Sequence, residues 1–357
     1  MKLCVVLGTR PEIVKMAPII HELKSRHIDF SLIHSGQHYD HDMSQIFFEE
    51  LDLASPDVNL ETGSGTQAEQ TATALVRLES TFRKILPDLV LLEGDTNTVL
   101  AGALAAAKLG IGVGHVEAGL RSYDLRMPEE HNRRLTDHLS SLLFAPTARA
   151  ARILRREACW GKIHVTGNTV IDACRLFGPK AKRTSSILKH ISSDQFALAT
   201  AHRAENVDDP MTLRQFYEIF DKCPIPVVYT IHPGTRARYH SAGLESLLER
   251  SSNITLLQPL GYLDFITLLT SCSFVLTDSG GIQEEVTAPS IMKKAFVLRK
   301  TTERPEAVKA GYAEVVGTSA ASVLKRLNKF LKEKWTPKRQ FPFGDGHSAR
   351  RIVDAIA

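Results

Sequence analysis

The stretch that decides the fold of this chain is Val275-Leu276-Thr277-Asp278-Ser279-Gly280-Gly281-Ile282-Gln283-Glu284-Glu285. The apolar run Ser273–Thr277 predicts a buried parallel strand, and Ile282–Val286 looks helical. A glycine pair between a strand and a helix lets backbone N–H groups approach an anion, to which the helix adds the positive end of its dipole. Ser279 can cap that helix and offer a hydroxyl group. We interpret the stretch as a cradle for a nucleotide diphosphate, and an ordinary strand–turn–helix junction is the alternative.

A second polar stretch favours the nucleotide interpretation. Arg299-Lys300-Thr301-Thr302-Glu303-Arg304-Pro305-Glu306 follows the next apolar strand, Ala295–Leu298. It places two arginines beside carboxylates at the C-terminal end of a strand, where ligands of open parallel sheets bind. The acidic pair Glu284 and Glu285 lies in the first two turns of the predicted helix, and one of these carboxylates could bind a ribose diol.

The composition limits the function classes. A length of 357 residues suggests two domains, and 43% hydrophobic with 24% charged residues is typical of a globular protein. The net charge of +4 comes without a basic block, so nucleic acid is not the expected partner. The five cysteines are scattered without a C-x-x-C pair, which indicates reduced cytoplasmic thiols and no zinc site. The chain opens directly on a strand, without a signal-type segment, and no apolar run approaches about 18 residues, so we expect no membrane span.

Apolar strands alternate with helical patterns along almost the whole chain, which predicts an α/β fold with parallel sheets and helices on both faces. The basic, uneven stretch Phe177–Ser193 is interpreted as the connection between domains 1–176 and 177–346. The segment Lys332–Phe343 reads as irregular, and a last helix is expected at Ser348–Ala357 with Ser348 as its cap. The expected strands are Leu3–Leu7, Phe30–His34, Leu89–Leu92, Val113–Val116, Phe196–Thr200, Val227–Ile231, Ile254–Leu257, Phe274–Thr277 and Phe296–Leu298. The expected helices are Glu12–Ser25, Asp42–Leu51, Ala68–Ile85, Thr98–Leu109, Leu213–Phe220 and Leu263–Leu269.

Three carboxylates stand where elements of the first domain begin or end. Asp95 follows the strand Leu89–Leu92, Glu117 follows the strand Val113–Val116, and Glu129 begins another helix. Each alone is more simply a helix cap or a surface charge. Because they lie at strand or loop ends of one sheet, we expect a shared site.

Basic residues follow the first strand. In Gly8-Thr9-Arg10-Pro11-Glu12 the proline suits a helix start, so Arg10 would point into the crevice at the end of the sheet. Lys15 lies about one turn further on. Both side chains suit phosphate, and a surface arginine on a turn is the alternative for Arg10.

Two histidines follow strands of the second domain. His202, in Thr200–Asn206, is expected on the rim facing the other domain, where a proton carrier could act. His232, which follows the next strand, is a weaker candidate. Histidines of this kind are more often surface residues or residues whose hydrogen bonds are satisfied locally.

Several catalytic motifs are missing from the sequence. No G-x-G-x-x-G follows the first strand, and the sequence contains no P-loop and no G-x-S-x-G elbow. No histidine and cysteine group has the spacing of a metal site. We therefore expect neither a nicotinamide cofactor nor a metal.

Taken together, these motifs resemble the non-hydrolysing UDP-N-acetylglucosamine 2-epimerase family almost from end to end. The Thr-Arg-Pro-Glu opening and the Glu-Arg-Pro-Glu stretch distinguish this family from its hydrolysing relatives. The matching motifs are Gly8–Glu12 with Lys15, Gly36-Gln37-His38, Gly94-Asp95-Thr96, His115–Arg121, Pro128–Arg133, Gly167-Asn168-Thr169, His202–Asn206, Asp278–Glu285, Thr302–Glu306 and Gly344-Asp345-Gly346.

The resemblance implies a glycosyltransferase-B fold, with two Rossmann-like domains facing a cleft and the C-terminal helix 347–357 crossing back to the first domain. It implies reversible conversion of UDP-N-acetylglucosamine to UDP-N-acetylmannosamine. In this family UDP is eliminated across C1–C2 to a glycal and is then added back with the opposite configuration at C2. No cofactor or metal is needed. We expect a cytoplasmic homodimer.

The resemblance also implies residue roles. Asp95, Glu117, Glu129 and His202 match the essential catalytic residues of the family. The remaining positions would bind the UDP-sugar: Arg10, Lys15 and Arg133 at pyrophosphate or sugar, Ser279, Gly280 and Gly281 at phosphate, Glu285 at ribose, and His232 and Arg304 as further contacts.

The chain departs from the family pattern near the sugar-specific segments. Two residues are inserted after Glu285, Met292 replaces the usual glycine, and the loop between Arg121 and Pro128 is short. A short loop also occurs in relatives that act on UDP-2,3-diacetamido-2,3-dideoxyglucuronate. Those relatives tend to replace the Arg-Pro pair that this chain keeps at Arg304-Pro305, so UDP-N-acetylglucosamine is favoured.

Two further function classes fit the sequence less well. A glycosyltransferase of the same fold would need an acceptor groove, and the sequence shows no sign of one. A catalytically inactive sugar-nucleotide sensor would lack one of the four catalytic residues, and all four are present.

Overall fold

A computed structural model of the chain describes residues 1–36, 41–63 and 65–357, with the backbone alone for 41–44. The motif residues Gln37 and His38 lie outside the described residues. The chain forms two compact units. Unit 1 comprises Met1–Leu176 with Phe343–Ala357, and unit 2 comprises Phe177–Pro342.

Unit 1 is built on a parallel sheet whose described strands follow the order β3-β2-β1-β4-β5-β6-β7. Strand β1 is buried along its whole length, as expected for a parallel strand with helices on both faces. The strands are β1 (Leu3–Leu7), β2 (Phe30–His34), β3 (Val58–Asn59), β4 (Leu89–Glu93), β5 (Gly112–Val116), β6 (Leu142–Ala145) and β7 (Lys162–Val165). The helices before unit 2 are α1 (Arg10–Ser25), α2 (His41–Glu50), α3 (Gln67–Ile85), α4 (Asn97–Lys108), α5 (Pro128–Leu139), α6 (Ala148–Arg156) and α7 (Thr169–Thr184), and α7 continues into unit 2.

Unit 2 contains a second parallel sheet, whose described strands follow the order β10-β9-β8-β11-β12-β13. Its core includes an aromatic group in which the Phe274 and Phe296 rings meet edge to face at 5.5 Å. The strands are β8 (Ala197–Thr200), β9 (Val227–Thr230), β10 (Ile254–Leu257), β11 (Phe274–Thr277), β12 (Ala295–Val297) and β13 (Ala313–Val315). The helices are α8 (Ala204–Val207), α9 (Pro210–Asp221), α10 (Pro233–Ser241), α11 (Glu245–Arg250), α12 (Tyr262–Ser271), α13 (Gly280–Glu285), α14 (Pro305–Lys309) and α15 (Ala320–Phe330).

The last helix, α16 (Ser348–Ile356), belongs to unit 1 and packs against α1. Arg26 Nη1 contacts Asp354 Oδ1 at 2.6 Å, and the Ala349 amide donates to Asp172 Oδ1 at 2.8 Å. The end of the chain is therefore fixed to unit 1 by polar contacts as well as by its apolar face. Among the described helices, none is both long enough and apolar enough to cross a bilayer.

Both sheets have the strand order of a Rossmann fold, which places a topological switch point inside each of them. In unit 1 the order reverses between β1 and β4, and in unit 2 it reverses between β8 and β11. The loops after these four strands diverge from one another and leave a crevice in which ligands of open sheets bind. Each sheet thus carries a candidate site at its switch point.

The structure confirms the α/β class and most of the expected elements, with ends shifted by one to three residues. The stretch Phe177–Ser193 is not the irregular connection that we expected, because α7 continues through Pro179 to Thr184 and a 3₁₀ turn follows at Ile187–His190. Its apolar residues recur at helical spacing and are buried, which outweighs one proline: Val170, Cys174, Phe177 and Ala181.

Of the two expected serine caps, Ser348 is wrong, and Ser279 is confirmed in its position but not in its hydrogen bond. Helix α16 begins at Ser348, and its N-cap is His347. Ser279 is the N-cap of α13, but its side chain makes no capping hydrogen bond. A capping position can be filled by a serine whose hydroxyl group remains available for another partner.

Candidate active site

A buried lysine lies at the switch point of unit 1. Lys15 Nζ is 2.9 Å from Glu93 Oε1 and 2.6 Å from Glu117 Oε2. Asn168 Nδ2 also donates to Glu117 Oε2, at 2.8 Å. The sequence suggested that Lys15 holds a phosphate, whereas in the structure its ammonium group joins two carboxylates.

Two carboxylates at this end of the sheet have raised pKa values. Burial raises the pKa of Glu93 well above its ordinary value, and the nearby Lys15 ammonium offsets only part of this effect. Burial also raises the pKa of Glu12 to about 7, against hydrogen bonds from Thr9 and the Gly8 amide that lower it. The cluster therefore holds a proton close to neutral pH, which suits a site that must accept and return one.

Glu117 occupies a strained backbone position. Its φ of +69° lies in the left-handed region, which costs a non-glycine residue about 1–3 kcal/mol and is found mainly at functional sites. The neighbouring Gly119 has a φ of +84°, and a Cβ there would lie 2.6 Å from the Ala150 carbonyl oxygen. Packing against α6 thus fixes the chain path just after Glu117.

His115 holds the loop that carries Asp95 through a backbone hydrogen bond. His115 Nε2 lies 2.8 Å from the Gly94 carbonyl oxygen, and Nδ1 lies 2.7 Å from Asp137 Oδ1. A carbonyl oxygen only accepts, so Nε2 carries the proton that is donated to Gly94. The fully buried Arg121 bonds Asp137 in turn, at 2.7 Å.

Asp95 and Arg133 form a second pair at this sheet end. Asp95 is half-exposed and its Oδ2 accepts a hydrogen bond from Arg133 Nη2. Arg133 Nη1 also bonds Glu130 Oε2 at 2.7 Å. Burial would raise the pKa of Glu130, but hydrogen bonds from Ser122 and Arg133 outweigh it and lower that pKa. An ionised Glu130 therefore orients the guanidinium group that faces Asp95.

The other two candidates of unit 1 are Glu129 and Arg10. Glu129 is half-buried in the first turn of α5 and forms no hydrogen bond or ion pair within the described parts of the chain. Its carboxylate is thus available to a substrate. Arg10 is half-buried and lies over the Phe47 ring, with 5.9 Å between its guanidinium carbon and the ring centroid.

His202 lies at the switch point of unit 2, after β8. Its side chain is 46% exposed, and its Nδ1 is 3.8 Å from Oδ1 of the fully buried Asp278, which follows β11. His232 is the exposed N-cap of α10, and its Nδ1 accepts from the Gly234 amide at 3.1 Å. The structure thus supports His202 at the crevice and gives His232 a local capping role.

The glycine pair after β11 has one crowded and one open position. A Cβ at Gly280 would lie 2.7 Å from Glu303 Oε1, so a larger residue would clash with the neighbouring loop. A Cβ at Gly281 would meet nothing nearer than Ser279 Oγ at 4.0 Å, which leaves room for a ligand against the backbone. Within the described residues the Ser279 hydroxyl group forms no hydrogen bond, and Glu285, at the end of α13, is buried.

The second polar stretch forms a buried ionic network. Arg304 Nε lies 2.5 Å from Glu284 Oε1, so this arginine is committed to a carboxylate inside unit 2. Glu303 is surrounded by Arg304, Arg203 and Arg299. Burial would raise its pKa, but these three cations outweigh burial and lower the pKa to about 2. Glu303 is therefore ionised throughout the physiological pH range.

Several residues of these sites were not assigned roles from the sequence. Glu130 and Asn168 stand inside the motifs that were recognised, and Glu93 directly precedes one. Only the folded contacts show that Glu130 orients Arg133, that Asn168 holds Glu117 and that Glu93 bonds Lys15. Asp278 could have been noticed, because an acidic residue directly after a fully apolar strand must find donors at the strand end.

One group in the described residues has ligand types and distances that could hold a metal ion. Its members are His138, Glu157 and Cys159, with 3.9 Å between Cys159 Sγ and His138 Nε2. Glu157, however, already accepts hydrogen bonds from Arg121 Nε at 3.1 Å and Nη2 at 2.6 Å. Two ligands remain uncommitted, fewer than the three protein ligands usual for zinc.

Known proteins resemble the chain over its whole length. The profile of the UDP-N-acetylglucosamine 2-epimerase family matches residues 21–357. The UDP-N-acetylglucosamine 2-epimerase of Methanocaldococcus jannaschii is 45% identical, with 99% of this chain and 98% of that protein covered. The UDP-2,3-diacetamido-2,3-dideoxy-D-glucuronate 2-epimerase of Pseudomonas aeruginosa is 38% identical, with 100% of this chain and 99% of that protein covered.

A solved structure of a family member is also similar to the chain. The M. jannaschii UDP-GlcNAc 2-epimerase, in complex with UDP-GlcNAc and UDP, matches with a TM-score of 0.93 at 44% identity. The match covers 100% of this chain and 99% of that one, so the similarity extends over both units.

Proposed function

The chain belongs to the UDP-N-acetylglucosamine 2-epimerase family, and on this premise we propose that it interconverts UDP-N-acetylglucosamine and UDP-N-acetylmannosamine. The observation that carries the proposal is the set of carboxylates in unit 1: Asp95 and Glu117 follow the adjacent strands β4 and β5, Glu117 contacts the buried Lys15, and Glu129 lies in the first turn of α5. UDP leaves across C1–C2 to give a glycal, and it returns with the opposite configuration at C2.

The carboxylates suit this elimination for a physical reason. The C2–H bond is a poor acid, so cleavage of C1–O runs ahead and positive charge develops on the sugar ring. Negative charges that are fixed in place stabilise such a transition state without reorganising. One of the three carboxylates takes the C2 proton, and the return of a proton to the opposite face completes the inversion.

Lys15 supports this chemistry by holding Glu117. Its ammonium group fixes one oxygen of the Glu117 carboxylate at 2.6 Å, and Asn168 donates to the same oxygen. The carboxylate is therefore oriented before the substrate arrives, so the reaction does not need the free energy of reorienting it. Arg133 does the same for Asp95.

We assign the UDP group to unit 2. Ser279, Gly280 and Gly281 would bind the diphosphate, and Glu285 would accept hydrogen bonds from the ribose diol. The open space at Gly281 and the uncommitted Ser279 hydroxyl group support this assignment. His202 would donate a proton or a hydrogen bond to the leaving diphosphate. Arg10, His232 and Arg304 remain proposed UDP-sugar ligands, the last in spite of its ion pair with Glu284.

The test is proton NMR of UDP-N-acetylglucosamine with the enzyme in deuterium oxide. We expect UDP-N-acetylmannosamine to form without added nicotinamide or metal, and deuterium to enter C2 of the product. Glu117→Gln should abolish both signals, whereas Glu79→Gln, on the outer face of α3, should leave them unchanged. An absolute requirement for NAD or a divalent ion would contradict the proposal, as would a product that retains its C2 proton.

The second candidate is the same reaction on UDP-2,3-diacetamido-2,3-dideoxyglucuronate. The similarity to the P. aeruginosa enzyme and the short loop between Arg121 and Pro128 favour it. The retained Arg304-Pro305 pair favours the simpler sugar. Incubating the enzyme with both sugar nucleotides together decides the matter, and we expect kcat/KM to be at least tenfold higher for UDP-N-acetylglucosamine.

We also propose that the chain is a cytoplasmic homodimer. The five cysteines are buried and form no disulfide within the described residues, which agrees with a reducing compartment. Sedimentation equilibrium at two protein concentrations would measure the subunit number, and a monomer at both concentrations would contradict the proposed dimer.

A further inference from the structure

The segment Ala201–Arg203 is held by its backbone on both sides. The Ala201 carbonyl oxygen accepts hydrogen bonds from Thr235 Oγ1 at 3.1 Å and from the Tyr229 hydroxyl group at 3.4 Å. The His202 and Arg203 amides donate to the Asp278 carboxylate at 3.1 and 3.0 Å. With these backbone groups bonded, the His202 side chain projects from a fixed base.

Asp278 is the acceptor that makes this base rigid. It is fully buried, and its Oδ2 also accepts from Asn206 Nδ2 at 3.0 Å. Asn206 in turn donates to the Leu298 carbonyl oxygen at 3.2 Å, which ties the segment to the end of β12. A buried carboxylate is tolerated only when donors surround it, and most of these donors come from the His202 segment.

The carboxylate also faces the imidazole ring. Asp278 Oδ1 lies 3.8 Å from His202 Nδ1, and no other basic side chain in the described parts of the chain is within ion-pair distance of it. A negative charge on this side favours a proton on Nδ1 and sets the orientation of the ring. The His202 side chain is 46% exposed, so the ring also presents a solvent-accessible surface at the crevice.

We propose that Asp278 is a positioning residue, which fixes the orientation of His202 through the backbone amides of residues 202 and 203 and through the charge facing Nδ1. The inference rests on the proposed role of His202 in the proposed reaction. It adds a residue that touches no substrate and acts only through the histidine.

The natural test is Asp278→Asn. An aspartate accepts at both oxygens, whereas an asparagine must present an NH₂ group at one of them. In either orientation this group faces an N–H donor, so at least one buried hydrogen bond is lost, as is the charge beside His202. The matched control is Asp209→Asn, because Asp209 also accepts backbone amides, from Met211 and Thr212, but lies exposed at the start of α9.

A double-mutant cycle separates positioning from a general structural role. We expect Asp278→Asn to lower kcat at least tenfold when His202 is present, and less than twofold when it is introduced into His202→Ala. The dissociation constant of UDP should change less than threefold, and Asp209→Asn should behave as the wild type in all assays. Equal losses in both backgrounds, or a kcat within twofold of wild type, would overturn the proposal.

Hydrogen exchange of the peptide 201–206 gives a readout that needs no turnover. We expect Asp278→Asn to lose at least tenfold in amide protection there, and unchanged protection would also overturn the proposal. If the wild type converts neither sugar nucleotide, the proposed function fails while this measurement still tests the positioning. If Asp278→Asn does not fold, Asn206→Ala removes one donor to the same carboxylate, and its smaller loss of kcat must likewise vanish without His202.

Discussion

Replacing Lys15 with methionine tests whether this residue serves the carboxylates or a phosphate. Methionine keeps the length and apolar stem of the side chain and removes only the charge and its hydrogen bonds. In the structure Glu93 and Glu117 would then share a buried space without a cation. If Lys15 instead held a phosphate, as the sequence suggested, its replacement would lower UDP affinity and leave the stability contributed by both carboxylates unchanged.

The magnitude follows from the two contacts. At separations of 2.9 and 2.6 Å, and with an effective dielectric constant of about 20, each attraction is about 6 kcal/mol. The dehydration of three ions offsets most of this, and removing one partner of a buried pair costs about 3–5 kcal/mol. We therefore expect Lys15→Met to lower the free energy of unfolding by about 3–5 kcal/mol at pH 8.

The loss should shrink in acid. Burial already raises the pKa of Glu93, and without the Lys15 ammonium group it rises further. As the pH falls, protonation removes the uncompensated charge in the variant, so the two proteins converge in stability. The double variant Lys15→Met with Glu93→Gln should regain part of the loss at pH 8, because one of the two buried charges is absent.

The assay is urea denaturation at pH 8 and pH 5, with calorimetric titration of UDP on the same preparations. Lys24→Met, on the exposed face of α1, is the control and should match the wild type. We expect kcat to fall while the UDP dissociation constant stays within threefold. A variant with unfolding free energy within about 1 kcal/mol of wild type and UDP affinity reduced tenfold or more would refute the reasoning and make Lys15 a phosphate ligand.

Three further predictions concern other charged groups. The pKa of Glu12 is raised from 4.5 to about 7, so the folded state binds the proton more tightly than the unfolded state does. The free energy of unfolding should therefore fall by about 3 kcal/mol as the pH rises between these values. Glu12→Gln should remove this pH dependence from urea midpoints measured between pH 4.5 and pH 8. Glu285→Ala should weaken UDP binding by about 1–3 kcal/mol through a lost charge-assisted hydrogen bond, and unchanged calorimetric affinity would exclude Glu285 from the ribose role. Arg121→Lys should lower the free energy of unfolding by about 3 kcal/mol, because lysine cannot reproduce the contacts of the guanidinium group with both Asp137 and Glu157. A melting temperature equal to that of the wild type would contradict this.

The strands and helices could be predicted because buried parallel strands are short apolar runs and their helices carry apolar stripes. The elements that were not predicted are those in which the apolar pattern is short or masked by charged residues. Strand β6 is only four residues long and is followed by α6, whose four arginines hide its apolar stripe, so neither was recognised. Helix α7 was not predicted, because the basic residues and the proline of Phe177–Ser193 were given more weight than four apolar residues at helical spacing, which are buried in the structure.

The candidate site could be located from the sequence but not assembled from it. Strand ends mark the crevice of an open sheet, which is why Asp95, Glu117 and His202 were found. The partner of each charge could not be predicted, because Lys15 meets carboxylates that are 78 and 102 residues away in the chain. Burial decides such pairings, and only the folded chain shows that Arg304 is committed to Glu284.

The buried carboxylates of the two units differ in how readily they take up a proton. In unit 1 the buried Glu93 and Glu117 contact a single ammonium group, and burial raises the pKa of Glu93 and, to about 7, that of Glu12, so a proton is retained close to neutral pH. In unit 2 the buried carboxylates face an excess of donors, with backbone amides around Asp278 and three arginines around Glu303, whose pKa is about 2. A proton can therefore be exchanged at the first site, whereas Glu303 in unit 2 keeps its charge over the same range of pH. It follows that acid between pH 7 and pH 5 should change kcat through the carboxylates of unit 1, because Glu12 gains a proton in that interval, whereas Glu303 in unit 2 stays ionised.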